Sequence, residues 1–163
     1  MNLTRTLKHL MTPHWYARRA FSGASLKAIE AAVAAAEQGG ELRFVVEAGL
    51  PLGHLWRDMP PRERAQELFA QLRVWDTAGN SGVLIYVQLV DRRVEIVADR
   101  GIAAKVPQAQ WEEVCRGMEQ AFARGDYAEG GLAAVSRIGE ILAQHFPAGR
   151  NPANELPDKP LIL

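Results

Sequence analysis

One stretch constrains the fold more than any other part of this chain: residues 81–102, with the sequence SGVLIYVQLVDRRVEIVADRGI. Two runs rich in β-branched and apolar residues, 82–90 and 93–98, flank the polar pair Asp91-Arg92, a pattern typical of a β-hairpin. The first run is apolar at consecutive positions, which predicts a strand buried on both faces. The second run alternates, as expected of a strand with one buried face. Asp-Arg is not the pair that a two-residue turn prefers, so a longer loop is an open alternative.

Strand and helix signals before the hairpin predict an α/β domain. Residues 41–47 have the composition of a strand, and Pro60-Pro61 suit the first turn of a helix that follows it. A strand, a helix and the first hairpin strand therefore follow one another. This order predicts that the strand over 41–47 lies parallel to the one starting at Gly82, through a right-handed crossover. The hairpin then adds an antiparallel strand to the sheet.

Further helices are expected on either side of these strands. Ser25 is a suitable N-cap for a helix running to about Gln38. After the hairpin, apolar residues recur at spacings of three and four over 108–123 and again over 127–145, where Asp126 is the expected cap. The connection over residues 48–59 is expected to be irregular.

The length of 163 residues fits one domain with loose ends. Residues 1–20 predict a short amphipathic helix up to Pro13, and we expect its apolar stripe to pack on the domain while its charges are solvated. The alternative is that its basic and aromatic residues touch nucleic acid or lipid headgroups. The stripe consists of Leu3, Leu7, Leu10 and Met11.

Residues 21–146 are expected to form the domain proper, and residues 147–163, rich in proline, are expected to be an irregular tail.

Charge and cysteine content limit the classes of function. Nineteen basic and nineteen acidic residues give a formal net charge of zero, so no overall field recruits nucleic acid or an anionic membrane, although a local patch stays open. The lone Cys115 fits a reducing compartment. The sequence has no apolar run of the length of a signal peptide or a membrane span. These features predict a cytoplasmic protein without a nucleic-acid partner.

Residues suited to catalysis are scattered. Cys115 lies on the apolar stripe of its helix and is expected to be a core residue, and the four histidines lack the spacing of a zinc site. Oxygen ligands near the expected strand ends could gather into a site for a hard cation, or could simply be turns and helix caps. They are Asp76, Asn80, Asp91, Asp99 and Asp126.

Two tryptophans are candidates for binding a partner. Trp56 and Trp75 are expected near loops, where an aromatic side chain can be an exposed anchor. Core packing is the alternative for each of them.

Several motifs together resemble the TPM domain over roughly residues 25–146. They are the segment from Asn80 to Val87, then DRRVEI from Asp91 to Ile96, Gly101-Ile102, and FARGDYAEG from Phe122 to Gly130. The family includes a thylakoid-lumen protein of photosystem II repair, a nematode receptor accessory protein and many bacterial proteins. The chain resembles its short soluble bacterial branch, which is often encoded beside LemA-type proteins.

This resemblance implies a three-layer α/β/α sandwich of Rossmann-like appearance, with a mixed, mostly parallel sheet and a central β-hairpin. It also implies calcium binding, as in some members, and the acid phosphatase activity attributed to the plant member. Many members have Asp-Asn-Gly where this chain has Asn80-Ser81-Gly82, and Gly-Leu-Glu where it has Gly101-Ile102-Ala103. The loss of two carboxylates weakens a site for a hard cation.

The expected function is that of a non-enzymatic, cytoplasmic accessory protein that binds a protein partner, with a membrane-associated, LemA-type protein as the candidate. Trp56 and Trp75 are its expected contact residues. The alternative is a metal-dependent, phosphatase-like hydrolase in which Asp99 and Asp126, with Asn80, hold calcium and polarise a phosphoryl oxygen. The sequence shows no convincing nucleophile, and this favours the accessory role.

Overall fold

The expected hairpin forms one side of a four-stranded sheet in the computed structural model, which describes residues 3–37, 40–146 and 154–163. The strand order is β3-β2-β1-β4. The strands are β1 (Glu41–Glu47), β2 (Gly82–Gln88), β3 (Arg93–Ala98) and β4 (Leu161–Ile162). The helices are α1 (Leu3–Met11), α2 (Trp15–Ala20), α3 (Gly23–Ala36), α4 (Leu52–Trp56), α5 (Pro61–Gln71), α6 (Arg100–Ala103), α7 (Gln108–Ala123) and α8 (Tyr127–His145).

The directions of the first three strands follow the sequence prediction. Strands β1 and β2 are parallel, from the pair Glu41 and Gly82 to the pair Glu47 and Gln88, and the crossover between them contains α4 and α5. Strand β3 is antiparallel to β2, and the four residues between them form the longer of the two loops considered. Strand β4 is parallel to β1 on its other side. The sheet is thus mixed and mostly parallel, as predicted.

Two hydrophobic cores lie on the two faces of the sheet, because strand residues alternate between faces. Every residue of β2 is buried, which confirms that this strand is covered on both sides. Helices α3, α7 and α8 cover the larger core, and α5 covers the smaller one. The larger core includes Phe44, Ile85 and Ile138, and the smaller one includes Leu68 and Tyr86. This arrangement is the predicted three-layer sandwich.

Short elements differ from the sequence prediction. Helix α3 begins three residues earlier than expected, because the Ser22 side chain accepts a hydrogen bond from the Ser25 backbone N–H and so caps the first turn. Its expected end at Gln38 lies outside the described residues, and α3 ends at Ala36. Helix α4 forms within the connection that was expected to be irregular.

The C-terminal segment also contains regular structure that the sequence did not predict. Strand β4 extends the sheet, and Leu156 is buried in the smaller core. The Arg43 guanidinium donates hydrogen bonds to the carbonyl oxygens of Pro157 and Lys159. Residues 147–153 of the expected tail lie outside the described residues.

Candidate functional site

Helix α1 docks on the domain through its polar side. The side chains of the expected stripe are largely exposed: Leu3 by 73%, Leu7 by 58%, Leu10 by 54% and Met11 by 73%. His9, in contrast, is buried, and it lies one turn after Arg5 on the same side of the helix. The prediction that this stripe packs on the domain is therefore wrong. We call the exposed stripe the α1 apolar face.

Asp91 is the reason for this orientation, because it offers a charged partner where the domain meets the helix. The Arg5 Nε and Nη2 atoms donate to its Oδ2 at 3.1 and 2.8 Å, and the His9 Nε2 atom lies 3.0 Å from its Oδ1. Burial pushes the pKa of Asp91 up, but the hydrogen bonds from Arg5 and His9 outweigh burial and hold that pKa below its ordinary value. Asp91 is therefore ionised and bound to two residues of α1.

Two further loops hold the same side of α1. The backbone N–H of Leu50 donates to His9 Nδ1 at 2.9 Å, so the proton of the neutral ring is on Nε2, which donates to Asp91. The Arg5 guanidinium also donates to the Asp58 carboxylate at 3.0 Å and to the Met59 carbonyl at 2.9 Å. These contacts fix the rotation of α1 about its own axis, with Arg5 and His9 facing the domain.

Most exposed large apolar side chains of the described residues belong to α1 or its neighbours. Trp15 begins α2, and α4, which contacts α1, exposes Leu52 and Trp56. Trp56 is 70% exposed and lies in the helix that contacts α1. Trp75 is 48% exposed and lies elsewhere, in the loop after α5, where Arg73 stands over its ring. The expected role of both tryptophans in partner binding stays a prediction.

Two of the expected metal ligands lie together where β3 ends and β2 begins. Asp99 caps α6, with its Oδ1 accepting from the Arg100 N–H at 2.7 Å, while its buried Oδ2 has no hydrogen-bond partner among the described residues. The Gly101 N–H donates to the Asn80 carbonyl. The Arg100 guanidinium lies 3.3 Å from the Asn80 Oδ1 and places a positive charge beside the expected ligand. That charge opposes a bound cation.

The third expected ligand is at the other end of β3. Asp126 follows α7, and near the end of α7 the Glu119 carboxylate accepts from the Val94 N–H, at the start of β3. The Asp126 carboxylate pairs with Arg124 at 3.1 Å. The structure therefore does not bring Asp126 together with Asp99 and Asn80. In the parts of the chain that the structure describes, no three His, Cys, Asp or Glu side chains are grouped to hold a metal.

A buried charged network at the carboxyl ends of β1 and β2 was not anticipated. The Arg64 guanidinium on α5 makes two hydrogen bonds to the Glu47 carboxylate, at 3.1 and 2.7 Å, and the Tyr86 hydroxyl donates to Glu47 at 2.6 Å. Arg64 also pairs with Glu67, which contacts His54. Burial, together with the Glu47 charge, raises the pKa of Tyr86 well above its usual range. Both charges are thus paired in the interior, and their hydrogen bonds connect α5 to the end of β1.

Cys115 has the environment expected of a core residue. It packs against the larger core, and burial raises the pKa of its thiol to about 12. A thiol with such a pKa is almost entirely protonated at neutral pH, and the thiolate is the reactive form. The structure therefore gives Cys115 no feature of a nucleophile.

Comparison with known proteins places this mixed α/β sandwich in a family. The TPM domain profile matches residues 16–141, so the chain belongs to the TPM domain family. No curated protein matches. Within the described residues, no helix has both the length and the apolar character needed to cross a bilayer.

Solved structures of similar fold include three bacterial proteins. The BA42 protein of Bizionia argentinensis is 27% identical, with a TM-score of 0.75 over 86% of this chain and 94% of its own. The N-terminal domain of a P. gingivalis protein is 19% identical, with a TM-score of 0.67 over 87% of this chain and 95% of that one. The N-terminal domain of the cg2496 protein from Corynebacterium glutamicum is 16% identical, with a TM-score of 0.56 over 80% of this chain and 78% of that one. The last two matches show the fold alone.

Proposed function

We propose that this chain is a non-enzymatic interaction module of the TPM family that acts at a membrane through the α1 apolar face. One observation carries the proposal: α1 is held by Arg5 and His9, and its leucines and Met11 point into solvent. Without these polar contacts, we would expect α1 to bury that stripe, because burial of each leucine side chain contributes roughly 1.5–3 kcal/mol to stability. An exposed apolar patch of this kind is typical of a surface that binds a protein or a membrane.

The chemistry of the described residues supports an interaction role over catalysis. Both ring nitrogens of His9 are engaged in fixing α1, and the Cys115 thiol is protonated. The Glu47 and Arg64 charges neutralise one another in the interior. Trp56, exposed on the helix α4 that contacts α1, is a further apolar side chain that an accessory protein could use.

The first test is sedimentation of the purified protein with membranes isolated from the source cells. We expect the Leu7→Asp/Leu10→Asp variant to bind at least about tenfold more weakly than the wild type, because two exposed leucines lose their apolar contact. Ala31→Asp/Ala35→Asp is the matched control, since it adds the same two carboxylates at exposed positions of α3, and its binding should be unchanged. Equal binding by all three proteins would refute the proposal.

A metal-dependent, phosphatase-like hydrolase is the second candidate. The Asp99 Oδ2 atom, which has no hydrogen-bond donor among the described residues, favours it. A buried carboxylate oxygen without a donor is a ligand that calcium accepts. The Arg100 charge beside Asn80 and the distant position of Asp126 count against this candidate.

Calcium titration followed by amide NMR shifts tests the hydrolase candidate. If it holds, saturable shifts appear around residues 79–82 and 99–103, disappear in Asp99→Asn and persist in Asp126→Asn, because Asp126 lies at the other end of β3. The same sample should then hydrolyse phosphate esters only with calcium. An absence of shifts at millimolar calcium removes the candidate.

A further inference from the structure

We infer that the ligand of the α1 apolar face is the lipid bilayer itself, at a surface that contains anionic phospholipid. This inference rests on the proposed function and names what the face binds. Helices that lie in a membrane interface combine an apolar face with basic residues beside it, and their binding strength rises with buried apolar area and with attraction to anionic lipid. Helix α1 has the exposed apolar face, and α1 and α2 have exposed basic residues.

Charge distribution along the chain supports an anionic surface. The net charge of the whole chain is zero, yet the first acidic residue is Glu30, and the residues before it include five lysines and arginines. Lys8, Arg18 and Arg19 are exposed on α1 and α2. The two carboxylates that bind α1, Asp58 and Asp91, share the single positive charge of Arg5, so they offset only one of these three cations. The neutral chain therefore has a basic end, and that end contains the α1 apolar face.

A cleft beside the α1 apolar face fits a phosphate headgroup. It has a volume of about 880 Å³ and lies between α1 and the β2–β3 loop. Its lining includes the exposed Lys8 and Arg92, and Met11 of the apolar face forms part of its wall. The Asp91 carboxylate also lines the cleft, but Arg5 and His9 already bind it. A lipid whose acyl chains meet the leucines and Met11 would thus place its phosphate near two cationic side chains. Trp15 is exposed nearby in sequence, and tryptophan favours the level of the headgroups.

Other occupants fit these observations less well. A nucleic acid gains little from three leucines and a methionine, because its backbone is read by charge and hydrogen bonds. A second copy of the chain would bring two basic segments together, and like charges repel across an interface. In a bilayer with anionic lipid, the acyl chains can contact the apolar face while the headgroups contact the positively charged side chains.

Sedimentation with protein-free vesicles tests the inference. We expect binding to vesicles of equimolar phosphatidylcholine and phosphatidylglycerol, weaker binding as salt rises, and little binding to phosphatidylcholine alone. Lys8→Gln/Arg18→Gln should weaken binding by about fivefold for each charge removed. Arg116→Gln/Arg137→Gln, at exposed residues on α7 and α8, is the charge-matched control and should bind like the wild type. The Leu7→Asp/Leu10→Asp variant should bind at least about tenfold more weakly.

The outcomes separate the inference from the proposed function. Binding to source membranes without binding to protein-free vesicles would indicate a protein receptor, and would overturn the inference while leaving the proposed function intact. Binding to neither would overturn both. A concentration-dependent dimer that Leu7→Asp/Leu10→Asp abolishes would make a second copy the occupant and would also overturn the inference. Because these side chains are exposed, circular dichroism should show every variant folded.

Discussion

Replacement of Arg64 by methionine is expected to lower the free energy of unfolding by about 3–5 kcal/mol. The guanidinium is buried against Glu47, and its loss leaves that carboxylate enclosed beside the Tyr86 hydroxyl without a counter-charge. The Glu47 side chain is almost completely buried, so bulk solvent does not replace the lost cation. Urea unfolding, monitored by circular dichroism, measures the change.

Two companion variants separate burial of the charge from the mere loss of an ion pair. Glu47→Leu/Arg64→Met removes both charges and should regain part of the lost stability. Arg137→Met breaks the exposed pair with Glu140 and should cost less than about 1 kcal/mol. Equal losses from Arg64→Met and Arg137→Met would show that the buried network contributes no more than a surface pair.

Gly82→Ala is the second change with a large expected effect. A Cβ atom at Gly82 would overlap the Val74 carbonyl oxygen, a backbone atom that cannot move without the loop that precedes β2. We expect a loss of about 3 kcal/mol or more in the free energy of unfolding, because the backbone must shift at the start of the central strand. Thermal and urea unfolding both measure this loss.

Gly117→Ala is the matched control for Gly82→Ala. Gly117 lies in α7 with no neighbouring atom within 4 Å of an added Cβ. Alanine should raise the stability there by about 0.5–1 kcal/mol, because glycine is the poorer helix former. If Gly82→Ala proved as harmless as this control, the close approach of the Val74 carbonyl to β2 would be refuted.

The sequence predicts the regular elements of this fold well where one local pattern decides the outcome. The bounds of β1 and of α7 agree with the prediction, because glycine or proline limits each segment and its apolar spacing is clear. Burial of β2 on both faces follows from its uninterrupted apolar run. Strand β4 has only two residues, and it pairs with β1, which lies far from it in the sequence. No local sequence pattern predicts such a contact.

The candidate site was predictable only in part, because its features depend on partners far apart in the sequence. The apolar spacing of α1 is correct, but the side that docks is decided by Asp91, which follows Arg5 by 86 positions. The strand pattern predicts that β1 ends at Glu47, but it contains nothing about the partner Arg64, which approaches from the crossover helix. Asn80, Asp99 and Asp126 all lie near strand or helix ends, yet only the topology shows which ends are neighbours.

The polar attachment of α1 also affects how the molecule comes apart and how it evolves. The helix contributes one buried side chain, His9, and the family profile begins at residue 16, after α1 has ended. Segments with few buried apolar contacts open at a lower free energy than the core does. Detachment of α1 therefore breaks ion pairs and hydrogen bonds while both hydrophobic cores stay packed. A lineage could gain, lose or recharge such a helix without redesigning the sandwich beneath it.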